Sequence, residues 1–255
     1  MSETLGPFAL GRVHLGDCHD LLRRVPLGAV DAVLADPPYS SGGTFRSDRQ
    51  RSTREKYVQA GQRTSPDFSG DNRDQRGFAA FSLAWMNRAW HVTRDGGALM
   101  VFTDWRQLPT VTDAMQAANW VWRGINVWDK TQGVRPQLGR FRAQAEFIVW
   151  GTKGPAALGT ARTAPGVWKC VSSATSSDHQ TAKPEPVMDW LLSLLPAGAL
   201  VLDPFAGGGA TGVACQSRGM RFLGFELDPY WCAYANRRLG VTPSEAGTPL
   251  FGAGA

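Results

Sequence analysis

Short apolar runs alternate along the chain with segments of helical spacing, and this constrains the fold more than any other feature. "DAVLA", "GALMVFT", "ALVLD" and "RFLGFEL" read as buried strands, and "RVHLG", "WVWRGINVWDK" and "AEFIVWG" as three more. Between them, helices are expected from Cys18 to Arg24 and over "RGFAAFSLAWMNRAWHVT", where Phe78, Phe81, Trp85 and Trp90 recur at helical intervals. Others are expected over "RQLPTVTDAMQAAN" and "PEPVMDWLLSLL", from Ala210 to Arg218, and from Pro229 to Leu239. Strands alternating with helices build a mostly parallel sheet covered by helices on both faces, an α/β architecture. With 255 residues there is room for one such domain, set at 1–240, and a tail from 241 to 255 rich in Gly, Pro and Ala.

Two stretches break the alternation. Residues 44–77 lack periodicity; from Arg46 to Arg63 they hold six Lys/Arg against two Asp/Glu. A loop of that length inside a compact domain is more often functional than idle. Residues 152–182 are similarly irregular. A net charge of +5 and a pI near 9.3 agree equally with a polyanionic partner and with an ordinary basic protein. No secretory signal is visible at the N-terminus, and no run of about 18 apolar residues suggests a membrane span. Cys18, Cys170, Cys215 and Cys232 are scattered singly, without metal-ligand spacing or a disulfide framework, so a cytoplasmic protein with reduced thiols and no metal site is expected.

Near the C-terminal end stands "ALVLDPFAGGGATGVAC", in which Gly207, Gly209 and Gly212 match the dinucleotide fingerprint Gly-x-Gly-x-x-Gly. It follows a strand, opens a helix, and has an acid, Glu226, 19 residues after Gly207, so a nicotinamide oxidoreductase is a serious alternative. Asp203, however, ends the strand where a pyrophosphate would meet a like charge. A carboxylate there suits a ligand with an ammonium group, and S-adenosyl-L-methionine (SAM) has one, with a ribose and no phosphate. Glycines let the backbone approach such a ligand closely, and Glu226 can accept its ribose hydroxyls.

The second acidic strand end is "DAVLADPPYSSGG". In an open parallel sheet ligands lie beyond the carboxyl ends of the strands, where this run delivers Asp36. Pro37 and Pro38 fix φ and have no N–H, leaving carbonyls free to accept hydrogen bonds. Asp36 and the Pro37 carbonyl make two acceptors for an exocyclic –NH₂, and Tyr39 offers a face on which a base can stack. Two acceptors favour a pyramidal nitrogen with its lone pair aimed at a methyl donor, so positioning and electrostatics supply most of the catalysis.

Together these segments resemble the amino-group DNA methyltransferases, which methylate adenine N6 or cytosine N4. "DPPY" at Asp36, Pro37, Pro38 and Tyr39 is similar to their catalytic tetrapeptide, and "DPFAGGGATG" to their SAM turn. The tetrapeptide precedes the turn by more than 160 residues, which resembles the circularly permuted β class. The resemblance covers roughly residues 11–240 and implies a SAM-dependent Rossmann-like fold with a seven-stranded sheet, one strand antiparallel. It places Asp17 and Cys18 of "LGDCHDLL" by the SAM adenine, and His179, Thr181, Lys183 and Pro184 of "HQTAKPEP" near the methionine moiety. Asp36, Asp203, Phe205, Gly207, Gly209, Thr211 and Glu226 complete the implied cofactor set. "WDK" and "AEFIVWGTKG" resemble strands near the target-base pocket, where Trp128 is either a stacking surface for the base or a core residue.

The implied substrate is DNA, whose target base must leave the duplex to be reached. Arg46, Arg49, Arg51, Arg54 and Lys56 are, as a group, candidates for the phosphate backbone. The recognition region implied by the resemblance is short, residues 152–180, and suggests a short or relaxed target sequence. Aspartate in the tetrapeptide favours adenine N6, whereas cytosine N4 enzymes more often carry serine. Related RNA and protein-glutamine methyltransferases usually have the SAM turn first. A monomer and a homodimer both remain open.

Overall fold

The computed structural model describes residues 3–38, 73–134, 136, 138–171 and 183–241. Ten strands occur among these residues. β1 (Thr4–Leu5) and β2 (Phe8–Ala9) form a small hairpin, and the other eight form one sheet. These are β3 (Arg12–Leu15), β4 (Val30–Ala35), β5 (Thr93–Thr103), β6 (Val121–Asp129), β7 (Ala145–Thr152), β8 (Val167–Lys169), β9 (Leu200–Asp203) and β10 (Arg221–Glu226). Their order is β3-β10-β9-β4-β5-β7-β6-β8. Within this sheet β7 alone runs antiparallel to its neighbours, β5 and β6, and every other pairing in it is parallel.

Helices cover both faces, so the central strands are apolar on both sides. On one face Val33, Ala35, Leu99, Val101 and Leu202 pack under α1 (Cys18–Leu22), α2 (Gln75–Val92) and α3 (Leu108–Ala117), through Leu21, Phe78, Trp85 and Met115. On the other, Ala32, Leu34, Met100, Phe102 and Val201 meet α4 (Glu185–Leu192), α5 (Ala210–Ser217) and α6 (Pro229–Arg238), through Val187, Leu191, Cys215 and Ala235. Aspartates start three of the helices: Asp17, Asp74 and Asp228 accept backbone N–H groups of His19, Gly77 and Tyr230.

The sheet differs from the expected one by one strand. β8 lies inside the irregular 152–182 stretch and is held by pairing with β6 and by stacking of Trp168 on Trp190, with ring centroids 6.0 Å apart. Three residues are too few to show periodicity in a sequence. The basic stretch 44–77 is also trimmed: α2 begins at Gln75, because the Asp74 carboxylate caps it.

This topology explains the permuted order. β4 and β9 are far apart in the chain yet adjacent in the sheet, with Val33 opposite Leu202. Their carboxyl ends, with those of β5 and β10, share one edge, and there the site forms.

Candidate active site

The glycine turn after β9 is closed by the two acids that flank it. The buried Asp203 carboxylate accepts the Phe205 N–H at 2.9 Å and the Thr211 hydroxyl at 2.5 Å. Glu226, at the end of β10, accepts the Gly207 N–H and the Asp228 N–H, both at 2.8 Å. In a phosphate-binding turn the Gly207 N–H would point at the ligand; here it is bonded to a carboxylate. Burial pushes Asp203 up to about 7, against the hydrogen bonds from Thr211 and Phe205, and burial raises Glu226 as well. Such a pocket favours a cation over a pyrophosphate.

The glycines divide their work. Gly207 and Gly209 have φ of +47° and +79°, values that suit glycine. A Cβ on Gly209 would meet Ala235 at 3.0 Å, and one on Gly212 would meet Phe222 at 2.8 Å, so both also let α5 and α6 close onto the sheet. Phe205 packs against Phe81 and Trp85, with ring centroids 5.8 and 5.2 Å away. Asp17 caps α1, Cys18 is buried with its thiol pushed up to about 12, mainly by burial, and Pro184 caps α4. The donor atoms of Asp17, Cys18 and His19 lie within 4.8 Å of one another, a juxtaposition the sequence spacing did not suggest.

At the end of β4 the arrangement is ionic. Lys183 reaches Asp36 Oδ2 at 2.7 Å and Glu146 Oε1 at 3.0 Å, and Lys130 pairs with Glu146 Oε2 at 2.5 Å. The Lys183 ammonium also lies 5.1 Å from the Phe102 ring centroid. Asp36 Oδ1 is buried and has no hydrogen-bond partner among the described residues. Burial raises Asp36, with Lys183 opposing and Glu146 reinforcing the shift. Burial would also raise Glu146, but Lys183 and Lys130 prevail and hold it down to about 2.

Sequence reading singled out neither Glu146 nor Lys130. Glu146 is the second residue of β7, and because that strand alone in the sheet is antiparallel, its start lies beside the carboxyl ends of its neighbours. Residue spacing carries no trace of this; only the pairing of Glu146 with Trp128 across β6 and β7 does. Lys183, implied near the methionine moiety, bonds to these two carboxylates.

Trp128 is core, not an available stacking surface: it is 3 % exposed, and its indole N–H donates to the Cys170 carbonyl at 2.8 Å. A different tryptophan is open at this edge. Trp105, two residues beyond β5, is 62 % exposed, with the Arg106 guanidinium 5.1 Å from its ring centroid. Tyr39, Arg46, Arg49, Arg51, Arg54, Lys56, His179 and Thr181 lie outside the described residues.

The chain is similar to known proteins in sequence and in fold. The chain is 30% identical to YubD of Escherichia coli (strain K12), a protein only provisionally named a methylase, over 91% of each chain. It is 26% identical to the type II methyltransferase M.HinfI of Haemophilus influenzae, over 94% of this chain and 70% of that one. The crystal structure of an M1.HpyAVI–SAM complex superposes with a TM-score of 0.65 at 21% identity, covering 89% of this chain and 98% of that one. Residues 30–237, which span the tetrapeptide, the ionic cluster and the glycine turn, match the family described as DNA methylase, and the chain belongs to that N6/N4 amino-methyltransferase family.

Proposed function

We propose that the protein transfers a methyl group from SAM to the exocyclic N6 amine of adenine in DNA, after the base has left the duplex. The observation that carries this reading is Asp36 Oδ1, a buried acceptor at the carboxyl edge of the sheet with no hydrogen-bond partner among the described residues. An exocyclic amine supplies the missing hydrogen, and the Pro37 carbonyl would take the second.

SAM, when bound, supplies an electrophilic methyl on a sulfonium. The residues present fit it: the buried Asp203 and the half-buried Glu226 offer carboxylates to an ammonium and a ribose, and leave no free Gly207 N–H for a phosphate. Asp36 orients the target nitrogen, while Lys183 holds Oδ2 so that Oδ1 faces the amine. Lys183 also favours the ionised form of Asp36, the form that accepts. Glu146 balances Lys183 and Lys130, keeping two ammonium groups in place without net repulsion at the transferring methyl. The nitrogen loses its proton only after the new N–C bond forms, so no strong base is required.

Aspartate rather than serine in the tetrapeptide supports adenine over cytosine, with cytosine N4 as the second reading on the same machinery. Trp105, exposed just beyond the end of β5, would offer a stacking face to the extruded base, the role the sequence suggests for Tyr39. The basic group Arg46, Arg49, Arg51, Arg54 and Lys56 would meet phosphates, and residues 152–180 would contribute to a short recognition sequence. M.HinfI is named as a type II enzyme, which supports a restriction-modification context here. The test is transfer of labelled methyl from SAM to unmethylated DNA: transfer by the wild type and about a hundredfold less or lower by Asp36→Ala is expected, and equal transfer by both would overturn the reading.

A further inference from the structure

The connection between β6 and β7 is not part of the chemistry described above, yet it grows from the two strand ends that carry Lys130 and Glu146. Its tip holds Leu138 and Phe141, at 101 % and 103 % of full exposure the most exposed large apolar side chains among the described residues. Single exposed apolar residues need no explanation, but two at one tip do when the segment beneath them is tied down. Lys130 N–H donates to the Gln144 carbonyl at 2.8 Å, and Gln144 Nε2 to Asp129 Oδ1 at 2.9 Å. Arg142 Nη1 staples the two limbs, donating to the Gln132 and Val134 carbonyls at 2.6 and 3.0 Å. Gly139 turns the tip with φ of +72°. The chain thus builds a hairpin that holds a leucine and a phenylalanine out in water.

Charge identifies the occupant. Between Lys130 and Glu146 the sequence has three arginines and no acid, and the exposed Arg140 directly precedes Phe141. Cationic guanidinium beside an apolar wedge is the chemistry of side chains that enter a base stack while phosphates hold the segment in place. We propose that this hairpin inserts into duplex DNA, with Phe141 and Leu138 filling the stack where the target base has left it and Arg140 on a flanking phosphate. The inference rests on the reading of the substrate as duplex DNA. It gives the extruded state a stabilising contact that an empty gap would lack.

Two variants test it, both at wholly exposed positions where folding should survive. Leu138→Ala/Phe141→Ala should lower methyl transfer to native unmethylated DNA by about tenfold or more, with SAM affinity and the urea midpoint unchanged. Phe141→Trp should retain activity, and the fluorescence it adds over the wild type should become shielded from acrylamide when duplex DNA is added. Transfer by the double variant within about twofold of the wild type, or an added indole as quenchable with saturating DNA as without it, overturns the proposal. A wild type that methylates no DNA refutes the substrate reading instead, and the quenching arm still decides whether the hairpin enters DNA.

Discussion

The two halves of the sheet edge are built in opposite ways. Around Asp203 and Glu226, each carboxylate is bonded by groups 2 to 19 residues away in sequence, mostly backbone N–H groups of the turns that the acids themselves terminate. Around Asp36, the bonds join four separate segments, with Asp36 and Lys183 147 positions apart in the chain. Local bonds form with the turn and leave a rigid cradle that needs only its ligand. A cluster of two ammonium groups and two carboxylates must be assembled by the whole fold, because each charge loses water and regains stability only from its partners. On the proposed reading, the difference teaches that the donor half can be ready before substrate arrives, whereas the target half keeps Asp36 Oδ1, which has no partner among the described residues, for a hydrogen of the substrate.

Removing that acceptor should produce the largest effect. Asp36→Ala should reduce turnover by about a hundredfold to a thousandfold, with SAM affinity changed only a few-fold. A comparable loss of SAM affinity in calorimetry would mean that the two halves are not separable.

Glu146→Ala leaves Lys183 and Lys130 without their shared counter-charge. Urea unfolding should show a loss of roughly 3–5 kcal/mol, as for other broken buried pairs. A loss under about 1 kcal/mol would contradict a tightly desolvated cluster.

The donor half should respond to pH. Asp203, raised to about 7, is protonated in a growing fraction as pH falls from 8 to 6, and a cationic ligand prefers the ionised form. SAM affinity should therefore weaken by up to about tenfold per unit below 7, and Asp203→Asn should flatten that dependence. The ligand-free protein has the opposite sign. Because the folded pKa lies above the unfolded one, the Asp203 contribution disfavours folding increasingly as pH rises from about 4 to about 7, a slope measurable in urea midpoints.

The smallest effects separate the two tryptophans. Trp105→Ala should lower methylation about threefold to tenfold without changing stability, the size expected for a lost stacking contact. Trp128→Phe should cost about 1–2 kcal/mol, by leaving the Cys170 carbonyl without its donor, and spare activity. The reverse pattern would return Trp128 to the base pocket.

The same contrast decides what the sequence could reveal. "DPFAGGGATG" was legible because its bonds are local: an acid, a turn of glycines and a threonine carry their own geometry. Asp36 was legible because a strand end followed by two prolines has few uses. Glu146 and Lys130 were not, since their position depends on β7 running antiparallel, which residue spacing does not encode. Trp128 had two readings because a tryptophan on a sheet can face the core or the site, and only packing against the Cys170 segment separates them. β8 escaped notice because three residues cannot display a period.

The most direct measurement is to incubate the protein with SAM and unmethylated DNA, digest the DNA to nucleosides and identify them by mass spectrometry. The expected result is N6-methyladenine with the wild type and about a hundredfold less or lower with Asp36→Ala over the same time. N4-methylcytosine would contradict the base assignment, and no methylated nucleoside from a protein that binds SAM would contradict the central claim that Asp36 receives an amine of DNA.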